Sequence, residues 1–121
     1  MPHVIRAGRA DLAAASREMP AGPWRWGAVV ARVEGCYLAP DARALLVAGV
    51  VIEYGRPQHP VVLITSRGEE TAVHLWSVVP VERNEAVKRL LVQVAQELTR
   101  FGAGAVVTTN LPTLVAMADQ G

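Results

Sequence analysis

Residues 71–110 constrain the fold of this 121-residue chain more than any other stretch. They read as a strand, a proline, a long amphipathic helix, a glycine turn and a second strand. The helix pattern is the clearest, because seven apolar residues recur at helical spacing and form one stripe. These residues are Val87, Leu90, Leu91, Val94, Ala95, Leu98 and Phe101. We therefore predict a helix over about residues 82–101 with a strand on either side of it.

The remaining chain divides into short β-branched and short helical segments. Strands are predicted at residues 4–5, 27–33, 45–54, 61–66, 71–79 and 105–109, the last of them buried. Short helices are predicted at residues 11–19 and 114–118, and loops at residues 21–27 and 54–60, where proline and glycine concentrate. Antiparallel strands followed by a β-α-β-α order predict one α+β domain over residues 1–121. Its single sheet is expected to be mixed and mostly antiparallel, with the helices packed on it.

Composition excludes several classes of protein. Apolar residues make up 51% of the chain and charged residues 19%, which excludes a disordered chain. The net charge of +1, with no basic run, argues against nucleic-acid binding, and the apolar runs are too short to span a membrane. Residues 1–6 lack the pattern of a secretory signal. Because the single cysteine, Cys36, forms no intramolecular disulfide, we predict a cytoplasmic protein.

Three side chains are candidates for a ligand-binding or catalytic role. His74 shares one strand face with Trp76 and is a candidate general base; the alternative is a half-exposed strand face covered by a helix. Glu53 ends an apolar strand and is a second candidate base, or else a surface glutamate. Asn110 follows the last strand and either binds a ligand there or caps the next helix. The three histidines show no metal-site spacing, so no metal is predicted.

Trp24 and Trp26 stand together in a predicted loop between Pro23 and Gly27. Two interpretations are open for this pair. The indoles either anchor an interface or cover a ligand, or they seal one end of the core.

Four segments resemble the GNAT-type N-acetyltransferase superfamily in order and spacing. VIRAGRADLAAASREM is similar to the first strand and helix of that family, and IEYGRPQHPVVLITSRGEETAVHLWSVVP to its central antiparallel strands. VVPVERNEAVKRLL lies where the family has a strand, a proline, a glycine loop and the start of a helix. GAGAVVTTNLPTLVAMADQG resembles its fifth strand and the helix after it. The resemblance implies a GNAT-like order of elements.

The resemblance also implies a site for acetyl-CoA. Two neighbouring parallel strands would part beside Pro80 to admit the pantetheine arm, and backbone N–H groups of residues 83–88 would cradle the pyrophosphate. The implied cofactor-binding residues are Val79, Val81, Arg83, Asn84, Ala86, Lys88 and Asn110. Any catalysis would be acyl transfer to an amine, with His74 or Glu53 as the base.

The chain departs from the family at several of these positions. Ala86 and Lys88 replace loop glycines, Met117 stands where a tyrosine often serves as general acid, and two further family strands have no counterpart. We therefore expect a GNAT-like domain that binds acyl-CoA or a related phosphorylated cofactor, with catalysis unproven or lost. A second copy would supply the missing strands, so a homodimer is expected. The alternative is a non-catalytic domain that dimerises or docks a partner through a sheet edge or the Trp24–Trp26 loop.

Overall fold

The computed structural model describes residues 1–119 as one curled antiparallel sheet with three helices. The helices are α1 (Leu12–Glu18), α2 (Glu85–Glu97), which a 3-10 turn (Leu98–Phe101) extends, and α3 (Pro112–Asp119). The strands are β1 (His3–Ala7), β2 (Trp24–Trp26), β3 (Val29–Leu38), β4 (Ala44–Glu53), β5 (Arg56–Gln58), β6 (Val61–Arg67), β7 (Glu70–Leu75) and β8 (Val106–Thr109). Their spatial order is β2-β3-β4-β6-β7-β1-β8, and β5 pairs with β4. The predicted α+β class, with one mostly antiparallel sheet and one long helix, is confirmed.

β1 lies between β7 and β8 and pairs antiparallel with both. β7 and β8 therefore run parallel to each other with one strand between them. The strand, helix and strand predicted over residues 71–110 form a split β-α-β unit, whose two strands are not neighbours. Every strand pair within residues 1–119 is antiparallel.

Three local predictions were wrong. The predicted loop at residues 21–27 contains β2, because Trp24 and Trp26 turn towards the core while Arg25 between them is exposed. The predicted connection at residues 54–60 contains β5, because Tyr54 and Gly55 form a two-residue turn with φ of 51° and 74°. The last strand, β8, is a sheet edge rather than a buried strand, and its Val107 is 54% exposed.

α2 begins and ends at residues that satisfy its unpaired backbone groups. Asn84 caps the N-terminus, since its Oδ1 accepts a hydrogen bond from the Val87 N–H at 3.0 Å. The helix therefore begins at Glu85 rather than at residue 82. Gly102, with φ of 97°, ends the 3-10 turn in the left-handed conformation that glycine adopts without steric cost. The predicted stripe is buried. The buried residues of α2 are Ala86, Val87, Leu90, Leu91, Val92, Val94 and Ala95.

The helices pack on one face of the sheet, called the inner face below. On β4, Leu45, Val47 and Val51 point to this face and are at most 1% exposed. Gly49 points the same way, and a Cβ built on it would lie 2.6 Å from Leu90 Cδ2 of α2. The absence of a side chain at Gly49 therefore lets α2 pack close to the middle of the sheet.

Arg6 of β1 is the only buried charged side chain within residues 1–119, at 6% exposure. Its Nη1 donates to the Ala95 carbonyl at 2.6 Å, its Nε to the Gly104 carbonyl at 2.7 Å and its Nη2 to Thr99 Oγ1 at 2.9 Å. Burial lowers the pKa of Arg6, and the charge of Asp119 opposes that shift. The guanidinium thus satisfies carbonyls at and beyond the C-terminal end of α2, where a cation is favourable.

Replacing Arg6 with methionine keeps an unbranched chain and removes these donors. We expect Arg6→Met to lower the free energy of unfolding by about 3 kcal/mol, because buried carbonyls lose a charged donor. Urea unfolding followed by circular dichroism measures the change. Arg9→Met, at an exposed position, is the control and should change stability by less than about 0.5 kcal/mol. Equal stabilities of Arg6→Met and wild type would contradict this role.

Candidate functional site

Five of the seven residues implied as cofactor-binding line two separate hollows. Val81, Asn84 and Ala86 line a hollow of about 690 Å³ between the β4–β5 hairpin and the start of α2, and Glu53 lines it too. Lys88 and Asn110 line a smaller hollow of about 310 Å³ beside the start of α3. Val79 and Arg83 line neither hollow. The structure therefore places Glu53 beside Val81, Asn84 and Ala86. The other implied residues lie elsewhere.

The larger hollow presents groups of both charges. Glu53, Glu82 and Arg56 line it, and Glu53 and Arg56 are cross-strand neighbours on β4 and β5. Gln58 Oε1 accepts a hydrogen bond from the Glu82 N–H at 2.8 Å, which ties β5 to the segment before α2. The Asn84 side chain is engaged in capping α2. The Asn84 side chain and the Glu82 N–H are thus engaged within the protein, and the two carboxylates disfavour an anionic ligand.

The strand geometry implied by the resemblance differs from the geometry observed. The implied cofactor cleft needs two adjacent parallel strands that part beside Pro80. In the structure, β1 fills the space between the parallel strands β7 and β8 and is hydrogen-bonded to each. Within residues 1–119 the sheet is therefore continuous from β7 to β8.

His74 lies on the outer face of the sheet, away from the helices. It stands directly opposite Leu63 of β6 on one side and His3 of β1 on the other. Burial is the main cause that lowers its pKa, and the charges of Arg67 and His3 lower it further. Because Glu53 belongs to the inner set of β4 residues, the two candidate bases are on opposite faces of the sheet. They form no common catalytic centre.

Asn110 has a role that neither sequence interpretation included. Its Oδ1 accepts a hydrogen bond from the His3 N–H at 3.0 Å, and its Nδ2 donates to the Met1 carbonyl at 2.7 Å. The side chain therefore holds the start of β1 against the end of β8. This contact links residues more than a hundred positions apart, so no local pattern could have indicated it.

The outer face of the sheet carries an apolar surface, called the outer apolar face below. It is a shallow depression across β3, β4 and β6. Trp76, which follows β7, bounds it at one end. Its residues are Tyr37, Leu38, Ala39, Ala44, Leu46, Leu63 and Trp76. Sequence reasoning missed this surface. The continuous apolar run of residues 45–52 was a signal for it. A strand with one solvent-exposed face normally alternates polar and apolar residues, so an unbroken run indicates apolar side chains on both faces.

Trp24 and Trp26 have the core-sealing role, one of the two interpretations that the sequence left open. Both indoles are half-buried and pack against the core at the edge of the sheet. Both also line a cleft that reaches α2 and α3, where the Arg89 guanidinium lies 5.0 Å from the centre of the Trp26 ring. The pair therefore seals the core and leaves part of each ring accessible.

The remaining chemistry-bearing groups are isolated. Cys36 is half-buried, and burial raises the pKa of its thiol, which disfavours the reactive thiolate. Within the described part of the chain, no group of three or more His, Cys, Asp or Glu side chains is placed to hold a metal ion. No helix among residues 1–119 is long and apolar enough to cross a membrane.

The environment of His74 predicts a pH dependence of stability. Because its pKa in the folded protein is lowered, the unfolded chain binds more protons as the pH falls below the ordinary histidine value of about 6.5. The contribution of His74 to the free energy of unfolding is fully present above that value and is lost as the pH falls towards the lowered pKa. We expect His74→Gln to flatten this decrease in urea midpoints measured from about pH 7.5 to about pH 5. His59→Gln, at an exposed site, is the control; an unchanged slope in His74→Gln would refute the assignment.

We compared the chain with protein-family models, with curated proteins and with solved structures, and none of them matches it. Its function is therefore inferred from the fold and from the geometry of its surfaces.

Proposed function

We propose that this chain is a non-catalytic domain that forms a homodimer by packing its outer apolar face against the same face of a second copy. The observation that carries the proposal is the chemistry of that face. All seven residues that line it are apolar or aromatic, and Tyr37 is 64% exposed. Water-exposed apolar surface of this kind marks interaction sites.

The outer apolar face is continuous because its central side chains are direct cross-strand neighbours. Tyr37 pairs with Leu46, and Leu46 pairs with Leu63. Side chains in such pairs are about 5 Å apart and contact each other. Gly35, two residues before Tyr37 on β3, leaves room for the ring, since a Cβ on it would lie 3.2 Å from the Tyr37 hydroxyl. The result is a shallow surface rimmed by large side chains.

The absence of charge from this surface favours a second copy as its partner. A two-fold interface brings the same patch of each subunit together, so its centre must be compatible with itself. A charged centre would repel its copy, whereas an uncharged one rich in aromatic residues does not. Two sheets can pack face to face in this way about 10 Å apart. The patch is small by the standard of permanent dimers, so we expect reversible association.

The geometry favours this proposal over acyl-CoA binding. The acyl-CoA hypothesis needs an opening between neighbouring strands beside Pro80 and a converging set of cofactor contacts. β1 pairs with both β7 and β8, and the implied contacts divide between two hollows. The feature that remains in favour of a ligand is Glu53, which shares the larger hollow with Val81 and Ala86.

Charge introduced at the centre of the outer apolar face should dissociate the dimer. We expect wild-type protein to approach twice the monomer mass with rising concentration in sedimentation velocity. Tyr37→Glu should raise the dissociation constant at least about tenfold, because two buried carboxylates would face each other. Val107→Glu is the matched control, since Val107 is 54% exposed on the β8 edge. A wild-type monomer at every concentration, or equal effects of the two variants, would exclude this interface.

Thermal unfolding with acetyl-CoA separates the two hypotheses. The proposal predicts no change of Tm with millimolar acetyl-CoA, with 3′-dephospho-CoA and ATP as controls. A ligand at 100 times its dissociation constant would stabilise the fold by about 2.7 kcal/mol and raise Tm by several degrees. A shift of that size, lost in Arg83→Ala and Lys88→Ala, would favour the acyl-CoA hypothesis instead.

A further inference from the structure

A cleft on the inner side of the sheet is separate from the outer apolar face. It lies between β2 and the helices α2 and α3 and has a volume of about 480 Å³. That volume is within the range of sites for small organic ligands. Its floor and walls include two indoles and the side chains of Leu114 and Met117. This composition suits a flat apolar body, because indoles stack with rings and methionine sulfur contacts ring edges favourably.

The two indoles are held in place by the fold. Trp24 and Trp26 pair with Ala31 and Val29 of β3, so both rings stand on the same side of the sheet. Gly22 packs beneath the first ring, and a Cβ on it would lie 2.9 Å from Trp24 Cε3. The rings are therefore positioned before any ligand arrives, which lowers the entropic cost of binding.

The charge of the cleft selects an anion. Arg89 of α2 lines it on the side of the indoles, whereas the side chain of Arg25 alternates to the other side of β2; within residues 1–119 no carboxylate lines the cleft. Arg89 lies over Trp26 with 5.0 Å between its Cζ and the ring centre, and this cation–π contact holds the guanidinium against the indole. Among the hydrogen bonds and ion pairs of the described residues, none is donated by Arg89. Its planar fork is thus available to a carboxylate.

We propose that this cleft binds a small aromatic carboxylate, with its ring between the indoles and Met117 and its carboxylate on Arg89. The aromatic body accounts for the two indoles, and the negative charge accounts for the Arg89 guanidinium, which has no acidic partner in the lining within residues 1–119. This inference uses surfaces that the proposed dimer leaves free, so either proposal can fail without the other.

The three tryptophans of the chain provide the test. In ¹H–¹⁵N spectra each indole N–H gives its own signal, assigned with single Trp→Phe variants. Titration with 2-naphthoxyacetate should shift the signals of Trp24 and Trp26 and leave Trp76, on the outer face, unmoved. The amine 2-naphthoxyethylamine carries the same ring with the opposite charge and should bind at least about tenfold more weakly.

Arg89→Met tests the role of the guanidinium while keeping an apolar side chain. We expect it to weaken 2-naphthoxyacetate binding about tenfold or more and to bring the carboxylate and the amine to similar affinity. Arg17→Met, at an exposed site on α1, should leave binding unchanged. If Arg89→Met does not fold, the comparison of carboxylate and amine on the wild type decides alone. No shift at millimolar ligand, a shift led by Trp76, or equal binding of the two probes would overturn the proposal.

Discussion

One helix has to cover the middle of an eight-stranded curled sheet, and the rest of the structure follows from that constraint. α2 packs against β1, β3, β4 and β7, and the missing side chain of Gly49 gives Leu90 room at the centre of the contact. A helix about 10 Å wide cannot reach every strand. α1 packs on β3 and β4, while the β2 indoles and α3 leave the cleft open beside α2. No helix within residues 1–119 packs on the outer face.

The position of α2 is fixed at both ends by polar contacts. At its C-terminal end, Arg6 of β1 donates to the carbonyls of Ala95 and Gly104. Before its N-terminal end, the bond from the Glu82 N–H to Gln58 connects the helix to β5. A buried guanidinium without a carboxylate partner is costly unless fixed dipoles surround it, and the carbonyls beyond the last helical turn provide them. Arg6 therefore stabilises the C-terminal end of α2 and also anchors that end to β1.

Local patterns in the sequence predicted what depends on local structure. The stripe of α2 and the β6–β7 hairpin follow from periodicity and turns, and both are present. The neighbours of β1 could not be predicted, because nothing in residues 71–110 shows that residues 3–7 insert between the two strands. β3 runs past residue 33 because a bulge between Val33 and Gly35 re-aligns it with β4. The face of the sheet on which His74 lies could not be predicted either, because both faces of β7 carry apolar residues.

The position of β1 between β7 and β8 has a consequence for how the chain reaches this fold. Among residues 1–119, β1 pairs with residues 70–74 on one edge and with β8 on the other, so one edge stays unpaired until β7 is present and the other until β8 is present. Contacts between such distant segments cost loop-closure entropy before they return any stability, which slows folding. The apolar Val4 and Ile5 are meanwhile exposed on a free strand. The same strand that makes the finished sheet continuous is thus the segment most open to mispairing with another chain while the sheet is incomplete.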